Sequence, residues 1–393
     1  MLAVLFVLRA TIAFQFQSVA AVGPVLGREF GIGIAELGVL IGLYFAPGVL
    51  LAVPGGALGS RLGDKRTVLA GIGLMIAGAC LMAVAPSWTS QAGGRIVAGA
   101  GGVFLNIVLA KMVADWFAGR EIATAMAIFV NSWPAGVALA LVALPPIATS
   151  SGVGAAHIVV AAATAFVGLV AVAIYRAPAD VAVAARSTAR VSPAAAAAVL
   201  AAGAIWALYN VGFAMVFSFG PALLVERGWS VPAAGSATSI ILWLAVASVP
   251  LGGFLADRTQ RSGAVLVAGC AAFGMLLFAA ARGTPTIPTF VLLGLVCGLA
   301  AGPIMSLPAL VLGAATRTLG MGLFYAVYYA AMMLGPALAG YYASFTGTAA
   351  GALEFGAALL LACPLLLVAF RAGCGARREG GSIARVWPIP ITA

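Results

Sequence analysis

Long apolar runs alternate with short polar segments along the whole chain, and the polar segments are marked by charged residues, Gly and Pro. Each run is long enough to cross the hydrocarbon core of a bilayer, which takes about 20 helical residues. No water satisfies backbone groups inside lipid, so every such run must be helical. The pattern predicts twelve membrane-spanning helices, at Leu2–Leu26, Ala35–Gly59, Val68–Ala85, Trp88–Ala110, Ile122–Ile147, Ala155–Tyr175, Ala194–Leu224, Ala233–Ala256, Ala264–Ala281, Thr289–Ala315, Leu319–Ala343 and Thr348–Phe370.

The composition excludes a soluble protein. Hydrophobic residues make up 64% of the 393 positions and charged residues only 8%, whereas an average soluble protein has about 25% charged residues. So few charges cannot cover a water-exposed surface of this size. A membrane β-barrel is excluded as well, because its strands alternate in polarity and these apolar runs are continuous.

The longest internal polar segment follows the sixth predicted span and divides the chain into two halves of six spans each. The predicted fold is therefore an all-α membrane protein with twelve transmembrane helices in two six-helix bundles. The N-terminal bundle is predicted at 1–175 and the C-terminal bundle at 194–371. A cytoplasmic linker at 176–193 is expected to join them, and a cytoplasmic tail at 372–393 to follow the last span.

The two halves carry an internal sequence repeat at an offset of 197 residues. A weak repeat of this kind indicates two pseudosymmetric bundles, which is how many secondary transporters enclose a central site. The matching positions are Gly23-Pro24 with Gly220-Pro221, Glu29 with Glu226, Gly31 with Gly228, and Gly55-Gly56 with Gly252-Gly253.

The distribution of Lys and Arg predicts the orientation. With the N-terminus placed inside, fifteen of the 20 Lys and Arg residues fall in cytoplasmic segments, and only Arg28, Arg227 and Arg282 fall outside. Cytoplasmic loops are enriched in basic residues, so both termini are predicted to be cytoplasmic. The expected location is the inner (plasma) membrane of a bacterium, since the chain prefers Arg to Lys and is rich in Ala and Gly, as GC-rich coding produces.

Residues suited to catalysis or metal binding are scarce. The chain has one histidine, His157, and its five cysteines form no Cys-x-x-Cys pair. Neither a metal site nor a cofactor is therefore expected, and the chain is not expected to be an enzyme. The net charge of +10 is spread thinly between the apolar runs, so it indicates membrane orientation and not nucleic-acid binding.

A loop motif follows the second predicted span and recurs after the eighth. Two copies at the same place in each half argue against an ordinary basic turn. The residues that carry the motif are Gly56, Ser60, Arg61, Asp64 and Arg66 in the first copy and Gly253, Asp257 and Arg258 in the second.

This motif resembles the signature loop of the major facilitator superfamily, and the resemblance extends over the whole chain. It implies an alternating-access transporter, mostly monomeric, in which the loop residues hold helices together on the cytoplasmic side and act as gating elements. Ser60 stands where the family pattern has Asp, which puts the carboxylate latch of the first half in doubt. The second copy keeps that acid as Asp257.

The fourth predicted span has a polar face. Arg95, Gly99, Gly102 and Asn106 are spaced at +4, +7 and +11, which puts them on one side of a helix. The Arg-x-x-x-Gly part is similar to a family pattern whose Arg often takes part in coupling. Arg95 is predicted to face the bundle interior and the solute, and the alternative is that its side chain extends to the outer headgroups.

Arg9 is a second cation inside a predicted span. Ionisable residues within the membrane are costly and usually mark a transport pathway. Gln17 lies about 80° from Arg9 around the helix, so both can face one cavity. The alternative for Arg9 is a side chain that extends to the nearby cytoplasmic surface.

Two buried arginines with no Asp or Glu deep in any span favour a small anionic solute, because an anion supplies the missing charge. Within the superfamily, the first span is most similar to the cyanate and nitrate/nitrite carriers. The alternative is an exporter of hydrophobic drugs or metabolites. A proton or a counter-substrate is a possible coupling species, and the lipid bilayer is the only other partner expected. The predicted solute-binding residues are Arg9, Gln17, Arg95, Asn106, Asn131, Trp133, Asn210, Tyr325, Tyr328 and Tyr329.

Overall fold

The structure is a computed structural model that describes residues 1–51, 64–84, 87–117, 122–175, 191–313 and 316–375. Every regular element in these residues is a helix. In the first half the helices are α1 (Leu2–Ala21), α2 (Gly23–Phe30), α3 (Ile34–Leu43), α4 (Ala46–Leu51), α5 (Asp64–Val84), α6 (Trp88–Phe117), α7 (Ile122–Val130) and α8 (Ser132–Ile174).

The second half begins at α9 and repeats the all-helical organisation. Its helices are α9 (Pro193–Glu226), α10 (Val231–Thr259), α11 (Ser262–Ala281), α12 (Thr286–Cys297), α13 (Ala301–Ser306), a 3-10 turn (Leu307–Leu310), α14 (Arg317–Thr346) and α15 (Ala350–Gly375).

The described residues contain eleven helical segments that are long and apolar enough to cross a membrane. One of them, Thr124–Ile174, has 51 residues, which is about 77 Å of helix and more than twice the thickness of a hydrocarbon core. Its backbone leaves the helical region at Gly152, where φ is 85° and ψ is 167°. This segment therefore makes two passes, and the prediction of an all-α membrane protein with twelve spans is confirmed.

The repeat seen in the sequence has a structural counterpart at the ends of the fifth and eleventh spans. The Glu29 carboxylate accepts a hydrogen bond from the Val153 amide at 3.2 Å, and the Glu226 carboxylate accepts one from the Ala349 amide at 2.9 Å. Each acid thus caps the start of the last helix of its half, where unpaired amides and the helix dipole favour a negative group.

The halves pack tightly against each other at the end where α1 finishes and α3 and α10 begin; we call it the closed end. Here α3 lies against α14 with almost no space between the backbones. A Cβ atom at Gly38 would collide with the carbonyl oxygen of Pro336, and one at Gly42 with that of Met333. Gly235 brings α10 equally close to α8. Small residues of this kind let membrane helices approach closely.

Candidate solute-binding site

A cavity of about 210 Å³ lies between the two halves. Its walls are built where α3 and α4 and then α7 and α8 are interrupted, together with residues of α1, α6, α9, α10, α13 and α14. Polar and aromatic side chains dominate the wall of the first half, which includes Arg9, Tyr44, Phe45, Asn106, Asn131 and Trp133.

Arg9 reaches sideways from α1 into this wall and does not extend along the helix to a membrane surface. Its Nε donates to Asn106 Oδ1 at 3.1 Å. Its Nη1 donates to the carbonyl oxygens of Phe129 at 3.1 Å and Val130 at 2.9 Å, with Ser132 Oγ at 3.3 Å. The alternative of an Arg9 side chain at the cytoplasmic surface therefore does not hold.

The carbonyl groups that receive Arg9 are available because the fifth span is broken. α7 ends at Val130 and α8 starts at Ser132. The residue four positions after Val130 is Pro134, which has no N–H, so the usual helical donor to the Val130 oxygen is missing. The last turn of a helix also carries negative partial charge, which favours a cation there.

The charge of Arg9 has no carboxylate partner in the described part of the chain. The ion pairs found there involve Lys111 with Asp64 and Asp115, and Arg282 with Glu354. Arg9 Nη2 makes no hydrogen bond to any described residue, and Arg9 is the only charged side chain among the described residues that line the cavity. One guanidinium nitrogen thus remains available to a ligand.

Aromatic faces surround the same cation. The Arg9 guanidinium carbon lies 4.8 Å from the centre of the Phe129 ring and 5.9 Å from that of Trp133. Three tyrosines of α14 line the same cavity from the other half, namely Tyr325, Tyr328 and Tyr329. The cation therefore sits at the boundary between the two halves.

The opposite wall comes from α9 and α14. Asn210 donates its Nδ2 to the Trp206 carbonyl at 2.7 Å, which leaves its Oδ1 without a partner among the described residues. Tyr209 is held by a hydrogen bond from its hydroxyl to the Cys297 carbonyl at 2.6 Å. The wall contains Trp206, Tyr209, Asn210, Phe213, Tyr325, Tyr328 and Tyr329.

Comparison with known proteins identifies the family. The model of the major facilitator superfamily matches residues 5–223 and again residues 202–379. The chain belongs to the major facilitator superfamily. Its multi-pass architecture and family point to a membrane transporter.

A solved structure shares the superfamily fold across the full length of the chain. It is a bacterial homologue of the human lysosomal transporter Spinster, crystallised in an inward-facing and occupied conformation. The two are 15% identical with a TM-score of 0.73, and the match covers 99% of this chain and 98% of the other. No curated protein matches the sequence significantly.

Eight of the ten predicted solute-binding residues line the cavity, and Arg95 is not one of them. Arg95 has no exposed surface. It donates from Nε to the Leu40 carbonyl at 2.9 Å, from Nη1 to that of Gln15 at 3.2 Å and from Nη2 to that of Ile41 at 3.3 Å. Its guanidinium also lies 4.7 Å from the centre of the Tyr44 ring. Arg95 faces the bundle interior as predicted, but it holds α3 to α1 instead of reaching the solute site.

The two ends of the polar face of α6 have different contacts. Gly99 packs against the carbonyl of Tyr44, which brings α6 close enough to α3 for Arg95 to reach it. Asn106 lies eleven residues after Arg95, about 16 Å further along the helix. It reaches the cavity and binds Arg9. The shared helical face predicted from the spacing is present, but only its far end borders the site.

Gln17 is also absent from the cavity wall. It is fully buried and donates from Nε2 to the Phe217 carbonyl at 2.7 Å. Since Gln17 belongs to α1 and Phe217 to α9, this bond joins the two halves at the closed end. The structure therefore places Gln17 at a contact between the halves and not at the solute.

The signature loops of the superfamily are described in part. Gly56, Ser60 and Arg61 lie outside the described residues. Asp64 pairs with Lys111 at 3.0 Å, a contact within the first half that the sequence did not suggest. The other described positions are Arg66, Asp257 and Arg258, which are exposed, and Gly253, which packs close to α13.

Phe45 is a wall residue that the sequence analysis did not single out. It lies in the two-residue interruption between α3 and α4 and packs 4.9 Å from the Phe16 ring and 6.0 Å from the Tyr328 ring. The sequence feature that could have indicated it is Pro47, two residues after Phe45, because proline lacks the N–H that a continuous helix would use there. A helix broken at that point can turn two consecutive aromatic residues toward the cavity.

Proposed function

We propose that the protein is a secondary active transporter that moves a small monovalent anion by alternating access, and that Arg9 is its anion-binding residue. The observation that carries this proposal is the position of Arg9 in the cavity wall, where the described residues leave one guanidinium nitrogen unused and bring no carboxylate near it. Arginine retains its charge in proteins, so the site carries a positive charge that an anion would balance.

The protein stabilises the charge of Arg9 only in part. Carbonyl oxygens and aromatic faces stabilise the Arg9 cation in part, through the contacts at 2.9–3.1 Å and the Phe129 ring. They carry only partial charges, whereas a buried charge is best compensated by an opposite full charge with hydrogen bonds. A monovalent anion satisfies this requirement and a neutral drug does not.

Cavity size separates the anion from the alternative of a drug exporter. Pockets for drug-sized ligands are typically about 300–1,000 Å³, and this cavity is about 210 Å³. The aromatic wall alone would suit a hydrophobic drug. The small volume and the uncompensated cation together favour a small anionic solute.

The proposed orientation places both termini in the cytoplasm, because basic residues dominate that side. The closed end then faces outward and the conformation is inward-facing. We also propose a location in the inner membrane, a monomeric state, the bundle bounds 1–175 and 194–371, and a proton or counter-substrate as the coupling species. The signature-loop residues are proposed to gate the cytoplasmic side.

Purified protein in lipid nanodiscs tests the anion proposal by thermal shift and equilibrium binding with nitrate, cyanate, acetate and benzoate. At least one anion should stabilise the wild type. Arg9→Gln should weaken its binding by about 1.5–3 kcal/mol, or roughly 10- to 150-fold, the scale of a hydrogen bond to a charged group. Arg9→Lys should recover part of this loss, because a point charge replaces a planar fork.

The control is Arg28→Gln, which removes an exposed arginine of α2 away from the cavity. It should leave anion binding unchanged. Binding that survives Arg9→Gln, or stabilisation by uncharged analogues equal to that by anions, would reject the proposal and favour the drug exporter.

A further inference from the structure

The cavity wall contains more aromatic side chains than the binding of an inorganic anion requires. Rings from both halves meet across it: Phe45 lies 6.0 Å from Tyr328 in an edge-on arrangement, and Tyr328 lies 6.4 Å from Trp206. Trp206 in turn stacks on Tyr209 at 5.7 Å. These distances fall in the range at which aromatic rings attract one another in offset or edge-to-face geometry.

The charges of the side chains around the cavity limit the solute to one negative group. Arg9 is the only charged side chain among the described residues of the wall. Its Nε and Nη1 are already bound to Asn106 and to the carbonyls of Phe129 and Val130. With only Nη2 unused, the guanidinium can receive one carboxylate oxygen, and a second carboxylate would have no cation to balance its charge among the described residues of the wall.

The volume requires a solute larger than a simple inorganic anion. Liquid water occupies about 30 Å³ per molecule, so a cavity of about 210 Å³ offers roughly seven such volumes. A nitrate or cyanate ion would leave most of this space, and most of the aromatic surface, in contact with water. A single aromatic ring with one acid group would use both.

We infer that the transported anion is an aromatic monocarboxylate, with its carboxylate on Arg9 and its ring among Trp133, Phe45, Tyr328 and Trp206. This inference rests on the proposed anion transport and narrows it from any small anion to one chemical class. The Trp133 ring lies 5.9 Å from the guanidinium carbon of Arg9, so a ring attached to the bound carboxylate would lie beside it. Three tyrosines of α14 line the same cavity, and their hydroxyl groups are donors that could serve the second carboxylate oxygen.

Equilibrium binding to nanodisc-embedded protein tests this with four matched probes. Benzoate is the reference, cyclohexanecarboxylate keeps the charge and removes aromaticity, benzamide keeps the ring and removes the charge, and nitrate keeps the charge alone. Benzoate should bind about fivefold more tightly than cyclohexanecarboxylate, the scale of one ring–ring contact. It should bind at least about tenfold more tightly than benzamide or nitrate.

Tyr328→Leu should remove the preference for benzoate over cyclohexanecarboxylate while leaving the Arg9-dependent binding of cyclohexanecarboxylate measurable. The matched control is Tyr341→Leu, in the same helix but 72% exposed and outside the cavity, which should keep the full preference. A Trp206→Leu variant repeats the test from α9, so that the outcome does not depend on the folding of one variant.

The outcomes distinguish a failure of the aromatic inference from a failure of anion transport. If nitrate or cyclohexanecarboxylate binds as well as benzoate and the binding depends on Arg9, the aromatic inference is wrong and anion transport stands. If benzamide binds as well as benzoate, or no probe depends on Arg9, anion transport itself is rejected.

Discussion

Replacing Arg95 should reduce stability and leave solute binding intact, which separates it from Arg9. Arg95 is fully buried and makes three hydrogen bonds to carbonyl oxygens, two of them in the last turn of α3. Arg95→Met keeps much of the volume but removes all three donors. Gln15 O retains a second donor in Ser18 Oγ at 2.8 Å, so the oxygens of Leu40 and Ile41 lose most.

The magnitude follows from these contacts. Hydrogen bonds to a charged group contribute about 1.5–3 kcal/mol each. A large part of that sum is offset, because methionine does not carry the cost of burying a charge. We therefore expect Arg95→Met to lower the free energy of unfolding by about 2–4 kcal/mol, and Arg95→Lys to recover about half, since a point charge cannot reach three acceptors at once.

The measurement is unfolding of purified protein in mixed detergent and SDS, with anion affinity determined on the folded fraction. Arg227→Met provides the comparison, because Arg227 likewise donates to the end carbonyls of α11, at 2.9 and 2.7 Å, but is only partly buried. Water can replace its contacts, so its effect should stay below about 1 kcal/mol. If Arg95→Met abolishes anion binding while stability stays at the wild-type level, the stabilising role assigned here is wrong.

Three further variants address the site and the closed end. Asn106→Asp puts a carboxylate beside Arg9 and should weaken anion binding at least as much as Arg9→Gln, at least about tenfold; unchanged affinity in a binding assay would mean that the charge of Arg9 is not used. Gly42→Ala should force α3 and α14 apart, at a cost of about 1–3 kcal/mol in packing free energy, and so expose engineered cysteines at the closed end to an impermeant thiol reagent. The control Gly73→Ala, at a position with open space around it, should not change this labelling. Equal labelling of both variants would contradict the expectation. Gln17→Leu should shift the opening equilibrium of the closed end by about fivefold, the value of one hydrogen bond; the same thiol assay measures it, and a wild-type labelling rate would count against the bridge.

The span pattern was predictable because burial in lipid leaves a direct record in hydropathy. Local breaks were less predictable. The repeated Gly-Pro pairs show why: the backbone is interrupted at Val22, just before Gly23-Pro24, whereas α9 continues through Gly220-Pro221 as one helix. A proline removes a donor in both places, but the surrounding packing decides whether the helix breaks, and a single sequence does not contain that packing.

The binding site was partly predictable for a similar reason. Intramembrane charge pointed to Arg9, and helical spacing pointed to the aromatic stripes of α9 and α14, which do line the cavity. The same two signals also predicted Arg95 at the solute site, but the structure does not place it there. The difference depends on the end of α3 near Tyr44, whose carbonyls Arg95 reaches, and no sequence pattern in α6 reveals it.

The two intramembrane arginines illustrate how one local device can serve two purposes. Each donates to carbonyl oxygens in the last turn of a helix that ends inside the membrane, Arg95 at α3 and Arg9 at α7. For Arg95 every guanidinium nitrogen is used and no surface remains exposed. For Arg9 one nitrogen has no acceptor among the described residues, and the side chain borders the cavity. The interruption of a helix supplies enough negative partial charge to hold a cation within the membrane. The number of donors left over then separates the two arginines: among the described residues Arg95 has all three guanidinium nitrogens bonded, whereas Arg9 keeps one free at the boundary between the halves.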